Sequence, residues 1–178
     1  MTNQTSPDQS KAFIMCVGLP GTGKTTFCMN MIEKFKIDMQ PCVYASSDHY
    51  IEKFTKRFNQ PYVDVYPKFI KDAENFMMGD IRCAVIGGIP IIHDGLNITV
   101  KRRRDILDAI PATYHKIALL FDVPFDQTDE WRDEVLNHEF KPLNQKTLGE
   151  LQSMYVEPVV EEGFDHVVDV AHSVRIMK

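Results

Sequence analysis

Gly18, Leu19, Pro20, Gly21, Thr22, Gly23, Lys24, Thr25 and Thr26 set glycines, a lysine and hydroxyls at the spacing G-x-x-x-x-G-K-[ST]. Gly18, Gly21 and Gly23 let the backbone close around phosphate oxygens, so successive N–H groups point inward as an anion nest. A helix starting near Lys24 adds the positive end of its dipole. Lys24 supplies a cation for the β- and γ-phosphates. Thr25 supplies a hydroxyl ligand for Mg²⁺, which prefers hard oxygens, and Thr26 is placed to help the α-phosphate. The expected cofactors are ATP and Mg²⁺.

Two aspartates follow short apolar runs, where the strand ends of an open α/β sheet collect ligands. Asp48 is a candidate general base for an acceptor hydroxyl, or a turn residue capping the next helix with Ser47. Asp94 is placed to hold Mg²⁺ through water or to orient the acceptor. Its other reading is an Asx turn with Gly95. Asn97 is close enough in sequence to bond at the same site.

A phosphotransferase also needs a cation over the transferring group. Arg132, Lys141 and Lys146 are the choices, and Arg132 is preferred because a guanidinium grips phosphate as a fork. Lys53, Lys56 and Arg57 alternate with Tyr50, Phe54 and Phe58, whose i, i+4, i+8 spacing makes one helical stripe. That stripe reads as core packing, or as an acceptor channel in which Lys53 or Arg57 holds a phosphate. The acceptor-binding candidates are thus Lys53, Arg57 and Asn97. The run Lys101, Arg102, Arg103, Arg104 reads as a solvated helix face balanced by Asp105 and Asp108.

Apolar runs at 12–17, 42–45, 89–92, 116–121 and 166–170 predict strands, the third starting close to Ile91 because of Pro90. Helical patterns over 24–36, 50–58, 63–78, 99–110, 126–137 and from Thr147 alternate with them. Thr99 is the expected cap of one helix. Thr147, with Glu150 as a capping box, is the expected cap of another. Such alternation predicts an α/β fold: a five-stranded parallel sheet in the order 2-3-1-4-5, with helices on both faces. Residues 1–10 read as a disordered leader and 11–178 as one P-loop kinase domain.

A hydrophobic fraction of 44% and a charged fraction of 25% suit a globular chain, and no window is apolar enough for a membrane span. A net charge of -5 disfavours a non-specific nucleic-acid coat protein but not an enzyme with a local basic groove. Cys16, Cys28, Cys42 and Cys83 form no C-x-x-C pair and read as buried free thiols of a reducing compartment. A cytoplasmic location is expected, the host cytoplasm if the chain is phage-encoded.

Four blocks resemble the 5′-hydroxyl kinase domain of phage polynucleotide kinases: Gly18 to Thr26, Ser46 to Tyr50, Ile91 to Asn97 with Arg102 and Arg103, and Phe121 to Phe125. The segment Gln152 to Tyr155 is similar to that family's final helix, so the likeness spans about 13–158. The resemblance implies that Lys24 and Thr25 bind the ATP phosphates and Mg²⁺, that Asp48 is the base, and that a small lid follows Phe125. The family's acceptor-phosphate arginine, three residues after the base, is Ile51 here, and of its two lid arginines only Arg132 falls nearby. The implied activity is transfer of the γ-phosphate to a nucleic-acid hydroxyl, a polynucleotide 5′ end or a hydroxymethylated base. The alternatives are a small-molecule or nucleoside kinase, and an ATP-binding regulatory module without transfer.

Overall fold

The computed structural model describes residues 11–123, 128–139 and 141–170. The leader 1–10, Pro124 and Phe125 of the fourth block, the expected helix start at Asp126, and the chain beyond 170 lie outside the described residues.

Five strands, β1 (Ala12–Gly18), β2 (Val43–Ala45), β3 (Ile91–His93), β4 (His115–Phe121) and β5 (His166–Asp169), form one sheet in the order β2-β3-β1-β4-β5. Every pairing in it is parallel, with Phe13 of β1 beside Ile91 on one side and Lys116 on the other. Both the strand order and the late start of β3 are as the sequence predicts.

Side chains alternate across β1, so one strand feeds two cores. Phe13, Met15 and Val17 pack with Met77, Ile81 and Ala84 of α3 (Tyr62–Gly87) and with Ile106 and Leu107 of α4 (Val100–Leu107). Ile14 and Cys16 face the other way, against Cys28, Phe27 and Met31 of α1 (Lys24–Ile37). Each large apolar side chain fully buried this way contributes about 1.5–3 kcal/mol. This two-sided burial holds β1 still under the loop that follows it.

Two helices are longer than their sequence patterns. α2 is Ser47–Phe58, so Asp48 lies in its first turn rather than in a preceding loop. α3 runs nine residues past Met78, because Ile81 and Ala84 keep its buried face going and tertiary packing overrides Gly79. It stops at Gly88, whose left-handed φ of 64° lets its N–H return to Ala84 and Val85 carbonyls. α4 is capped by Thr99 as expected, its hydroxyl accepting from Arg102 N, but ends at Leu107. The last helix, α6 (Gln145–Met154), is capped by Asn144 instead of Thr147; the Asn144 side chain accepts from Thr147 N at 2.8 Å. An amide oxygen caps as well as a hydroxyl, and this one moves the start back two residues.

α5 (Thr128–Leu136) and α6 share a small core of Trp131, Val135 and Leu148, with Leu19, Val123 and Leu143 packed against it. This helix pair stands where the resemblance implies a lid, and it leans on the glycine loop through Leu19.

The basic run on α4 is solvated only in part: Lys101 and Arg104 are exposed, with Lys101 meeting Asp105 as expected, while Arg103 is not. Arg103 is fully buried, its Nε and Nη2 donating to Glu162 at 2.7 and 2.6 Å. Its Nη1 donates to the carbonyls of Asn97 and Val156. Arg102 pairs with Glu74 of α3 at 2.9 Å. Of the cations that oppose the α4 dipole, Arg102 and Arg103 are held by partners on other elements and Lys101 by Asp105 of α4 itself. Cys16 and Cys28 are buried free thiols as expected, whereas Cys83 is exposed on the outer side of α3. No described helix is long and apolar enough to cross a membrane.

Candidate active site

The loop after β1 is built by close approach. A Cβ at Gly18 would run into the carbonyl oxygen of Phe121 at the end of β4. One at Gly21, where φ is +73°, would lie 2.6 Å from Val135 Cγ2 of the lid. Both positions exclude side chains for steric reasons, and the first also fixes the loop to the sheet edge. Trp131 Nε1 of α5 donates to the Pro20 carbonyl at 2.7 Å, tying the lid to the same loop.

Lys24 opens α1 and is buried, its Nζ donating to the Leu19 carbonyl and, at 3.2 Å, to Thr22 Oγ1. Burial lowers its pKa to about 8, against the opposing pull of several negative groups that include Asp94 and Asp48. The P-loop ammonium therefore feels both strand-end carboxylates. Thr25 Oγ1 donates to Asp94 Oδ2 at 2.7 Å, and Tyr44 OH donates to the same oxygen at 2.7 Å. The Asp94 side chain reaches across to the loop instead of closing an Asx turn with Gly95. A hydroxyl and a buried carboxylate side by side are a fitting donor pair for Mg²⁺, with Thr25 and Asp94 as its holders.

Asp48 does not cap α2. The cap position belongs to Ser46, without a side-chain bond, and the Asp48 carboxylate is instead a half-exposed acceptor. Tyr62 OH donates to Oδ1 at 2.7 Å and Lys141 Nζ donates to Oδ2 at 3.2 Å. Lys141 also meets Glu52 at 2.8 Å and lies 4.9 Å from the centroid of the Tyr62 ring. Burial alone would lower the pKa of Lys141, but Asp48 and Glu52 outweigh it and raise it, so this lysine stays charged. Each carboxylate oxygen has two lone pairs, so Asp48 keeps the capacity to accept a further O–H.

The other expected site residues fall elsewhere. Arg132 lies on the β4 side of the loop, pairing with Asp129 at 3.2 Å and lining a cavity of about 380 Å³ with Phe121, Asp122, Trp131 and Tyr155. The lid cation that meets Asp48 is Lys141, not Arg132, and Lys146 faces Glu150 on an exposed surface. Asn97 is buried, its Nδ2 donating to the Cys16 carbonyl at 2.7 Å and its Oδ1 lying 3.1 Å from His93 Nε2. It braces the end of β1 rather than meeting solvent. Lys53 lies over the ring of Tyr50 and Arg57 over that of Phe58. At about 100° per residue, both are turned roughly 140–180° around α2 from Asp48.

A family model described as an AAA domain matches residues 13–158. The chain belongs to that family. No curated protein matches the chain by sequence. Among solved structures, a proposed kinase of Chloroflexus aurantiacus is 16% identical, with a TM-score of 0.63, over 92% of this chain and 86% of that one. Chaetomium thermophilum Kti12, solved with ADP-AlF3, is 17% identical, with a TM-score of 0.57, over 89% and 88%. The Pnkp1/Rnl/Hen1 RNA repair complex gives 16% identity and a TM-score of 0.61 over 85% of this chain and 45% of that one. At such identities these likenesses establish the P-loop nucleoside-triphosphatase-like fold.

In this AAA-domain chain the residues missed by sequence reasoning are Tyr62, Tyr44 and Trp131. Trp131 carried a signal, being the chain's one tryptophan and lying next to Arg132. Tyr44 and Tyr62 carried none, since each reaches its aspartate from a different element.

Proposed function

We propose that this protein is a Mg²⁺-ATP-dependent phosphotransferase that moves the γ-phosphate to an acceptor hydroxyl with Asp48 as general base. The observation that carries the reading is Asp48 itself. It is half exposed, oriented by Tyr62 and Lys141, left with free lone pairs, and within the electrostatic reach of Lys24. In the reaction the acceptor oxygen bonds to the γ-phosphorus as its proton passes to Asp48, and the bond to the ADP oxygen breaks. Lys24 leaves its loop carbonyl for phosphate oxygens and balances the charge that moves toward ADP. Thr25 and Asp94 would hold Mg²⁺, which would neutralise phosphate charge.

Asp48 follows β2, on one side of the loop, and the cavity beside Arg132 adjoins the end of β4, on the other. An extended triphosphate has its γ-phosphate and its base at opposite ends. The base of ATP accordingly belongs in that cavity, with Arg132 near the nucleotide rather than the acceptor. The favoured acceptor is on a nucleic acid, a polynucleotide 5′-hydroxyl or a hydroxymethylated base. Tyr66 supports this: it stacks on Tyr62 with centroids 5.5 Å apart, is 41% exposed, and offers a base an open ring face beside Asp48.

Asp48→Asn is the test. An amide cannot take the hydroxyl proton but still accepts from Tyr62. Turnover should fall about 10²- to 10⁴-fold with melting temperature and ATP affinity little changed. Near-normal turnover would remove the base assignment.

A further inference from the structure

The flank of α2 turned away from Asp48 carries an aromatic run that the active site does not use. Tyr50 stacks on Phe76 with centroids 5.3 Å apart, Phe54 lies 5.2 Å from Phe69, and Phe58 stacks on Phe69 at 5.0 Å. The inner edges of these rings pack on Ile51, Val65 and Ala73, which is the core role their spacing predicts. Packing does not account for the outer edges. Phe58 is 42% and Phe76 52% exposed.

Nor does packing call for cations there. Lys53 Nζ lies 4.8 Å from the Tyr50 centroid and the Arg57 guanidinium 5.9 Å from that of Phe58. Lys68 on α3 is exposed as well, whereas exposed Lys56 lies toward the Glu52 side of α2. The acidic groups facing this flank from α3 are Asp72, and Asp80, which is engaged by the Tyr50 hydroxyl at 2.5 Å. Glu52 is committed to Lys141 on the other flank. The surplus is basic, although the whole chain carries -5. Burial is the main cause that holds the pKa of neighbouring His49 down, with Lys53 adding to it and Glu52 and Asp80 opposing.

We propose that this flank of the α2–α3 pair is a docking surface for single-stranded nucleic acid, with bases stacking on Phe58 and Phe76 and phosphates meeting Lys53 and Arg57. Ring faces next to cations are the combination that binds single strands without sequence preference. An acidic peptide would use the cations and leave the rings idle. Tyr50 and Asp48 point to opposite sides of α2, so this surface is separate from the active site. The surface does not depend on phosphotransfer.

The test is fluorescence anisotropy with a thymidine oligonucleotide dye-labelled at its 5′ end and phosphorylated at its 3′ end, which offers no 5′-hydroxyl. Binding should weaken with salt, and the double variant Lys53→Gln, Arg57→Gln should flatten the log–log salt slope by about 1.4. Phe76→Ala, at an exposed ring, should weaken binding about 5- to 100-fold. ATP affinity should stay as in the parent for both variants, and melting temperature for the double variant, while Phe76→Ala should lose only the stability of its contacts with Tyr50 and Phe54. Parent-like oligonucleotide binding by both variants would overturn the proposal, as would no binding by the parent or equal displacement by polyglutamate. If phosphate transfer fails while the variant pattern holds, this surface stands without the kinase reading. If transfer succeeds without the pattern, the surface falls and the kinase reading stands.

Discussion

Burial makes Lys24 a lysine that sheds its proton a little above neutrality, with a pKa lowered to about 8 from 10.5. Phosphates need it charged. ATP affinity should therefore weaken as pH rises above about 8, and titration calorimetry should show proton uptake on binding there. Lys24→Met should bind ATP weakly and with a flat profile. The sign for stability is opposite. Between about 8 and 10.5 the unfolded lysine keeps a proton that the folded one has lost, so stability gains with pH across that window and loses the gain as pH falls back through 8. Urea midpoints of the ligand-free protein and Lys24→Met should diverge in that window alone. Lys24, Thr25 and Asp94 were legible in the sequence because loop spacing and a strand end fix them locally. The Lys141–Asp48 pair spans 93 positions, and nothing local marks which lid cation comes across.

Among the elements, α4 owes its position to a charge buried deliberately. Arg103 is fully buried and binds Glu162 with two donors while satisfying two carbonyls with a third. Arg103→Met should cost about 3–5 kcal/mol in urea unfolding, because Glu162 is left desolvated without its partner. Adding Glu162→Gln should recover part of that loss. A cost below about 1 kcal/mol would mean the pair is incidental. Strand and helix existence could be read from apolar periodicity, and the caps at Thr99 and Gly88 follow ordinary rules. The extra turns of α3 and the buried role of Arg103 could not, since both are decided by what the sheet presents to them. A run of four basic residues looks the same whether solvent or Glu162 answers it.

At the scale of the molecule, strand order separates the two aspartates from the cavity beside Arg132. Strands β2 and β3 bring Asp48 and Asp94 to one side of the loop, while β4 and the lid form the cavity on the other. The order was legible because a P-loop strand followed by alternating helices leaves few right-handed arrangements. The acceptor's identity was not, since it depends on the side chains of α2, α3 and the lid together. The most direct measurement is transfer of labelled γ-phosphate from ATP to a panel of DNA and RNA with free 5′ ends, DNA with hydroxymethylated bases, and nucleosides. The proposed function predicts label bound covalently to a nucleic-acid acceptor, lost in Lys24→Ala and reduced about 10²- to 10⁴-fold in Asp48→Asn. Label released only as inorganic phosphate, whatever the acceptor, would contradict it.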